Sequence, residues 1–380
     1  MRTTIAPGCH PPSGRMLLLT PGPLTTSDTT RAAMGRDWGS RDEAFVALTG
    51  RLRTRLAAIA GGTGTHETVL LPGSGTFAVE AALQSLVPPD GHVLLLVNGA
   101  YGRRMVEMLV RLGRSHQVRE WPEDEAVDAG ELDRILGATP SITDVAVVHC
   151  ETTTGLLNPL EAVAGVVRQH RRRLLVDTMS SFGALPIDAA GLGLTAVMAS
   201  SNKGLEGVPG IGFVVVESQH LATCKGNAVS LSLDLHEQAA GFRRNGQWRF
   251  TPPVQVAAAL ESALDQLAAE GGVAARGGRY RRLHALLVEG MQALGFETYL
   301  RPELQAPIIV TFSDPGPPFA FEAFYDALQA EGVVIYPGKL TQAPSFRIGC
   351  IGAITEADMR RALEVIGRHR PRAESAGREV

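Results

Sequence analysis

Three short stretches of this chain carry residue types that could do chemistry together. The first is ASSNKGLEGVPGIGF, residues 199–213, which sets Lys203 among small, apolar and glycine residues. A charged, strongly hydrated side chain is unusual in a tract that reads as buried. The second is LLPGSGTFAVEAAL, where Gly73-Ser74-Gly75-Thr76 follows a strand-like run and opens a helix-like one. Free N–H groups and the helix dipole favour an anion at such a place, and Ser74 and Thr76 add hydroxyl donors. The third is RLLVDTMSSFG, which puts Asp177 at the C-terminal end of an apolar strand, the edge where open α/β sheets carry ligands.

Each stretch has a plainer reading. Gly73-x-Gly75-x-x-Ala78 also fits the loose dinucleotide fingerprint, but the next strand ends in Asn98, not the acidic residue that holds a ribose. It is equally compatible with a structural turn. Asp177 could cap a turn, and Lys203 could snorkel to the surface or pair with Asp177. Neither explains why an anion cradle, a strand-end carboxylate and an enclosed lysine all come from one sheet. Pyridoxal 5′-phosphate needs all three: an anion site, a carboxylate facing its pyridine nitrogen, and an amine to bind its aldehyde. A desolvated lysine beside a cationic ring loses its proton readily, which makes a nucleophilic amine near neutral pH.

The elements that must position these residues are legible as hydrophobic runs. From about residue 66, runs of four to six apolar residues alternate with helical stretches: ETVLLPG, GHVLLLVNG, TDVAVVHCE, RLLVDTMSS, TAVMASSNK and GIGFVVVES. This pattern predicts a mainly parallel sheet covered on both faces. Two long helical stretches begin near residue 254. Strand-like runs follow at APIIVTFS, GVVIYPG and SFRIGCIG, with helices at about 319–331 and 355–368. The expected organisation is a loose N-terminal extension (1–15), a large α/β domain (16–270), a smaller α+β domain (271–370) and a frayed tail (371–380).

Composition narrows the class. With 36 basic and 39 acidic residues, the net charge of −3 argues against a nucleic-acid-binding protein. No apolar run approaches the roughly 20 residues that cross a bilayer. Cys9, Cys150, Cys224 and Cys350 are dispersed and form no CxxC pair, so neither a metal site nor a disulfide framework is expected. No secretory h-region is seen near the start, which leaves the cytoplasm as the default location.

From about Leu17 to Gly367 the chain resembles the class V aminotransferases, pyridoxal phosphate enzymes of fold-type I. The segments that carry the likeness include GSGTFAVEA, VNGAYGRRMVEM, VHCETTTGLLNP, VDTMSSFGALPID, SSNKGLEGVPG, WRFTPPVQ, VIYPGK and FRIGCIG. TPGPLTTS, CKGNAVSLSLDL and EGGVAAR are similar to a phosphonate-handling branch of that family. The resemblance implies that Lys203 binds the cofactor and then acts as general base and acid, with Asp177 facing the pyridine nitrogen. It implies that Ser74, Gly75, Thr76 and Ser201 hold the phosphate, and that Tyr101 stacks on the ring. Thr152 would bond the ring oxygen, with Thr154 a second candidate. Thr251 would reach the phosphate in a neighbouring subunit, so a homodimer with shared sites is implied. Arg347 would grip the substrate's acid group through its planar fork.

Two segments depart from the relatives. In DWGSRD, Arg41 could approach the substrate anion or pair with Asp37. Gly204-Leu205-Glu206 after the lysine differs from other members. A relative acting on a different amino donor, of alanine–glyoxylate or serine–pyruvate type, is the alternative activity. A cysteine desulfurase and a non-catalytic regulator that binds pyridoxal phosphate are further rivals.

Overall fold

The structure is a computed structural model that describes residues 16–340 and 343–370. The segments expected to form a loose extension (1–15) and a frayed tail (371–380) lie outside the described residues.

Seven strands form the central sheet: β1 (His66–Gly73), β2 (His92–Val97), β3 (Ser115–Glu120), β4 (Asp144–Val148), β5 (Arg173–Asp177), β6 (Ala196–Ser200) and β7 (Gly210–Glu217). Their order is β1-β7-β6-β5-β4-β2-β3. All neighbouring pairs are parallel except those of β7, which runs antiparallel to both β1 and β6. Because β7 is flanked on both sides, β1 points the same way as the parallel strands. The C-terminal ends of β1, β2, β4, β5 and β6 therefore share one edge. The apolar runs form these strands because residues such as Val145–Val148 and Leu174–Val176 are buried throughout, as a sheet covered on both faces requires. The expectation of a mainly parallel α/β sheet is met. β3 was not anticipated. Its sequence SHQVRE is polar and partly exposed along its length, as an edge strand can be.

Helices α1 (Glu43–Ile59), α2 (Gly75–Leu86) and α3 (Ala100–Arg111) precede two long ones, α4 (Val254–Glu270) and α5 (Gly272–Ala293). Gly271, in the left-handed region at φ 106°, ends α4 and starts α5. A second sheet holds β8 (Ile309–Ser313), β9 (Tyr336–Pro337) and β10 (Ser345–Gly349) in the order β8-β10-β9, with helices α6 (Phe321–Ala330) and α7 (Glu356–His369) beside it. Its core is separate from that of the large sheet. Leu17, Leu19 and Leu24 belong to this smaller core, and Leu17–Leu18 pairs with Val333–Val334. The first described residues thus pack with the smaller unit, not with the large one in which the sequence places residue 16. The reason is long-range: a short run of three leucines, Leu17 to Leu19, carries no signal of which sheet it joins.

Phe346 is the hub of an aromatic cluster, with ring centroids 5.5 Å from Phe296, 5.6 Å from Phe312 and 5.7 Å from Phe319. Alternation along β10 then sends Arg347 to the opposite face from Phe346 and Ile348. The aromatic cluster is what fixes the direction of that arginine.

Candidate active site

The loops leaving the shared sheet edge enclose a cleft of about 640 Å³ lined by Ser74, Gly75, Thr76, Tyr101, Arg104, Asp177, Ser200 and Lys203, among others. At one end lies the start of α2, whose first N–H groups have no partner within the helix. Ser74 is its N-cap and makes no capping hydrogen bond with its side chain. Arg104 Nη1 stands 3.4 Å from Thr76 Oγ1, adding positive charge to the cradle. The guanidinium of Arg104 also lies over the Tyr101 ring, 4.7 Å from its centroid.

Asp177 also lines the cleft, buried, with one carboxylate oxygen accepting from Met179 N at 2.8 Å. Burial raises its pKa to about 6, against the Met179 hydrogen bond and the charges of Lys203 and Arg104. Such a carboxylate is short of a cationic partner, which a protonated pyridine nitrogen would supply. Lys203 Nζ donates to Pro21 O at 2.9 Å, so the TPGP segment near the start of the chain crosses over the lysine. Burial lowers the Lys203 pKa to about 8, with Asp177 opposing the shift.

The lysine is held by its loop. Glu206 N donates to Lys203 O at 2.8 Å, and Glu206 itself adopts a left-handed conformation at φ 62°. Its carboxylate accepts from Tyr280 Oη at 2.6 Å and Arg279 Nη2 at 2.7 Å. Arg276, on the same helix α5, donates to Gly204 O at 3.2 Å. Glu270 accepts from both arginines. The Gly204-Leu205-Glu206 variation is therefore half of a buried clamp whose other half is the GGVAARGGRY helix. The glycines around Lys203 do not line the cleft. A Cβ on Gly204 would lie 2.5 Å from Phe182 O, and one on Gly212 would lie 2.7 Å from Ser74 O. They allow close backbone packing.

Arg347 is buried, with Nε donating to Pro337 O at 3.0 Å and Nη1 to Thr152 O at 2.9 Å. Thr152 in turn shares a 2.6 Å hydroxyl contact with Ser180. Thr154 Oγ1 accepts from Leu156 N at 3.2 Å, which commits it to the turn after Glu151. Glu151, which the sequence reading passed over, is fully buried. It accepts from Tyr101 N, Gly102 N, Thr153 N and Thr153 Oγ1. It thus caps α3, whose own N-cap residue Gly99 has no side chain to do so.

Three expected residues stand elsewhere. Ser201 Oγ donates to Val208 O at 2.5 Å, so its hydroxyl is committed to the loop backbone. Its neighbour Ser200 lines the cleft and has a buried hydroxyl with no partner. At the end of a strand, a shift of one residue moves a side chain to the other face, and that parity is not visible in a Ser-Ser pair. Thr251 and Arg41 line a different, surface pocket with Arg249 and Trp248. Both are exposed, and Arg41 makes no ion pair with Asp37. Among the described residues, no group of three or more His, Cys, Asp and Glu is placed to hold a metal ion. No described helix is long and apolar enough to cross a membrane.

The cleft thus offers an anion cradle with an unpartnered hydroxyl, a buried carboxylate lacking a cation, an aromatic wall and an amine with a lowered pKa. That donor set fits pyridoxal 5′-phosphate. Residues 26–357 match the profile of the family Aminotransferase class-V. A protein of Burkholderia lata named 2-aminoethylphosphonate--pyruvate transaminase 2 is 54% identical over 351 residues, 92% of this chain and 93% of its own length. A Pseudomonas putida protein named 2-aminoethylphosphonate--pyruvate transaminase is 51% identical over 355 residues, 93% of this chain and 96% of its own. Among solved structures, an alanine--glyoxylate aminotransferase from Nostoc sp. superposes with a TM-score of 0.88 at 27% identity, covering 96% of this chain and 97% of that one.

Proposed function

The chain belongs to the class V aminotransferases, and we propose that its reaction is transfer of the amino group of 2-aminoethylphosphonate to pyruvate, giving phosphonoacetaldehyde and L-alanine. Its fold is that of the fold-type I enzymes, and its cofactor is pyridoxal 5′-phosphate. Identity of 51–54% over the aligned residues to transaminases named for this reaction favours it over the alanine–glyoxylate type, to which the identity is 27%. The observation that carries the substrate reading is Arg347. It is anchored by Thr152 and Pro337, with the rest of its fork free for an anion.

When bound, pyridoxal phosphate supplies an electron sink that acidifies the C–H beside the transferred nitrogen. Ser74, Gly75, Thr76 and Ser200 would hold its phosphate at the start of α2, helped by Arg104. Asp177 would keep its ring nitrogen protonated, and Tyr101 would stack on its ring. Thr152, whose backbone carbonyl accepts from Arg347, would bond the ring oxygen. Lys203 Nζ would hold the cofactor's aldehyde carbon and would serve as the base and acid that moves the proton of the substrate's amine-bearing carbon. The lowered pKa gives it a substantial neutral fraction for that role near pH 8. Arg347 holds the phosphonate in the first half-reaction and the pyruvate carboxylate in the second, so the reacting carbon arrives at the same point.

The active unit in this reading is a homodimer. Phe77 stands two residues after the Gly75 start of the cradle, Phe250 stands beside Thr251, and both are 46% exposed. Apolar surface at these two places favours burial against a second copy, which would bring Thr251, and with it Arg41, to the partner's cleft. A desulfurase reading loses support because Cys150 and Cys350 are fully buried and burial pushes both thiols up.

The test is a half-reaction. Purified holoenzyme is mixed separately with 2-aminoethylphosphonate, serine and alanine, and loss of the cofactor's visible band is followed. 2-Aminoethylphosphonate should react with the highest kcat/KM of the three, and sedimentation should show a dimer. Faster reaction with serine, or no reaction with the phosphonate, removes the donor assignment.

A further inference from the structure

Arg347 by itself is a poor match for a phosphonate. Its Nε and one Nη1 hydrogen are committed to Pro337 O and Thr152 O, leaving three of its five N–H groups. Those suffice for a carboxylate, which carries one charge and accepts a two-point fork. A phosphonate has three oxygens and, like a phosphate ester with a second ionisation near pH 6, approaches two charges at neutral pH. One guanidinium leaves about one of them unmatched.

A second cation stands beside it. The chain has three lysines, Lys203, Lys225 and Lys339. Lys339 Nζ lies over the ring of Tyr101, 5.6 Å from its centroid, and Tyr101 lines the cleft with Lys203 and Asp177. Lys339 belongs to the segment that holds Arg347. β9 pairs Tyr336 with Arg347 and Pro337 with Phe346, and Gly338 N extends the pairing to Ser345 O at 2.9 Å. The same backbone that accepts from Arg347 Nε therefore delivers Lys339 to the Tyr101 side of the cleft. Among the described residues no carboxylate lies within ion-pairing distance of Lys339, although exposed arginines such as Arg51 and Arg360 both have one. The nearby acid, Glu151, already accepts four hydrogen bonds from Tyr101, Gly102 and Thr153. Burial and the charges of Arg347 and Arg104 lower the Lys339 pKa, with Glu151 opposing. Cations gathered without a free carboxylate between them are arranged for an anion of more than one charge. Arg104 faces the other way, toward Thr76 and the cradle.

We propose that Lys339 is the second cation of the substrate pocket and that it selects a phosphonate dianion over a carboxylate. This rests on the donor assigned above, and it gives Lys339 a task in one half-reaction only. The amino donor would need both cations; pyruvate and alanine would need Arg347 alone. The competing view is that Lys339 is an ordinary solvated lysine that happens to reach Tyr101.

Wild type, Lys339→Gln and Lys339→Arg holoenzymes distinguish these. Lys339 is exposed, so neither change should disturb folding. Two measurements are made: single-turnover kcat/KM with 2-aminoethylphosphonate and with alanine, and the inhibition constants of the unreactive anions methylphosphonate and acetate. Lys339→Gln should lower kcat/KM for 2-aminoethylphosphonate by about 10- to 150-fold and raise the methylphosphonate inhibition constant in parallel. Alanine and acetate should change by about fivefold or less, and Lys339→Arg should keep most of the phosphonate preference. Equal losses with both donors, or no loss with either, overturn the proposal. So does a wild type that binds methylphosphonate no better than acetate. If 2-aminoethylphosphonate is not turned over but methylphosphonate binding still depends on Lys339, the donor assignment falls and the phosphonate subsite stands.

Discussion

Replacing Arg347 should do two separable things, because the proposed reading gives its guanidinium two tasks. Its remaining N–H groups would hold the substrate anion, and its Nη1 donates to Thr152 O at 2.9 Å. Arg347→Ala removes a charge-assisted interaction with the bound anion, which costs about 1.5–3 kcal/mol, or roughly 10- to 150-fold in kcat/KM. That loss should appear with 2-aminoethylphosphonate and with pyruvate alike, since both acid groups use the same anchor. Misplacement of the reacting carbon adds to it. The second effect runs through the protein: Thr152 O and Pro337 O lose their buried donor, and the Thr152 backbone is freed to shift. The substitution should therefore weaken cofactor retention as well, a consequence that a purely peripheral anchor would not have. Arg347→Lys keeps the charge but cannot donate to Thr152, Pro337 and the substrate at once. It should recover only part of the activity. Stopped-flow measurement of both half-reactions, with equilibrium dialysis of the cofactor, gives the two readouts. Near wild-type kcat/KM for both substrates in Arg347→Ala would refute the assignment and turn attention to Arg41 supplied by a second copy.

Two further outcomes follow from the loop that carries Lys203. In cofactor-stripped protein, borohydride trapping of added pyridoxal phosphate should label Lys203. Because its pKa is lowered to about 8, the reactive neutral amine should appear with a midpoint near pH 8, not in the ordinary lysine range. Peptide mapping that places the label on Lys225 or Lys339 counts against this. Glu206→Gln leaves Arg276 and Arg279 with one carboxylate, Glu270, in place of two. Breaking a buried ionic network costs about 3–5 kcal/mol, so the urea midpoint should fall and both half-reactions should slow together as Lys203 loosens. An unchanged midpoint would show that the clamp carries no stability.

The anion cradle, the strand-end aspartate and the enclosed lysine were legible in the order of the residues because each is a local pattern. A glycine-rich turn into a helix, or an apolar run ending in one polar residue, depends on neighbours within a few positions. The parallel strands were legible for the same reason, since burial on both faces leaves continuous apolar runs. Five features were decided only in three dimensions. The polar edge strand Ser115–Glu120 exists because β2 offers it a partner, not because its own sequence demands extension. The choice of Ser200 over Ser201 rests on the parity with which β6 ends. Glu206 acquires its role from Arg279 and Tyr280, more than 70 positions away, and Arg347 its direction from an aromatic cluster on the other face of β10. Thr251 and Arg41 lie outside the Lys203 cleft of their own chain. For the edge strand, Glu206 and Arg347 the deciding contact is between residues far apart in the chain, and no spacing along the sequence records which distant segment will arrive beside them.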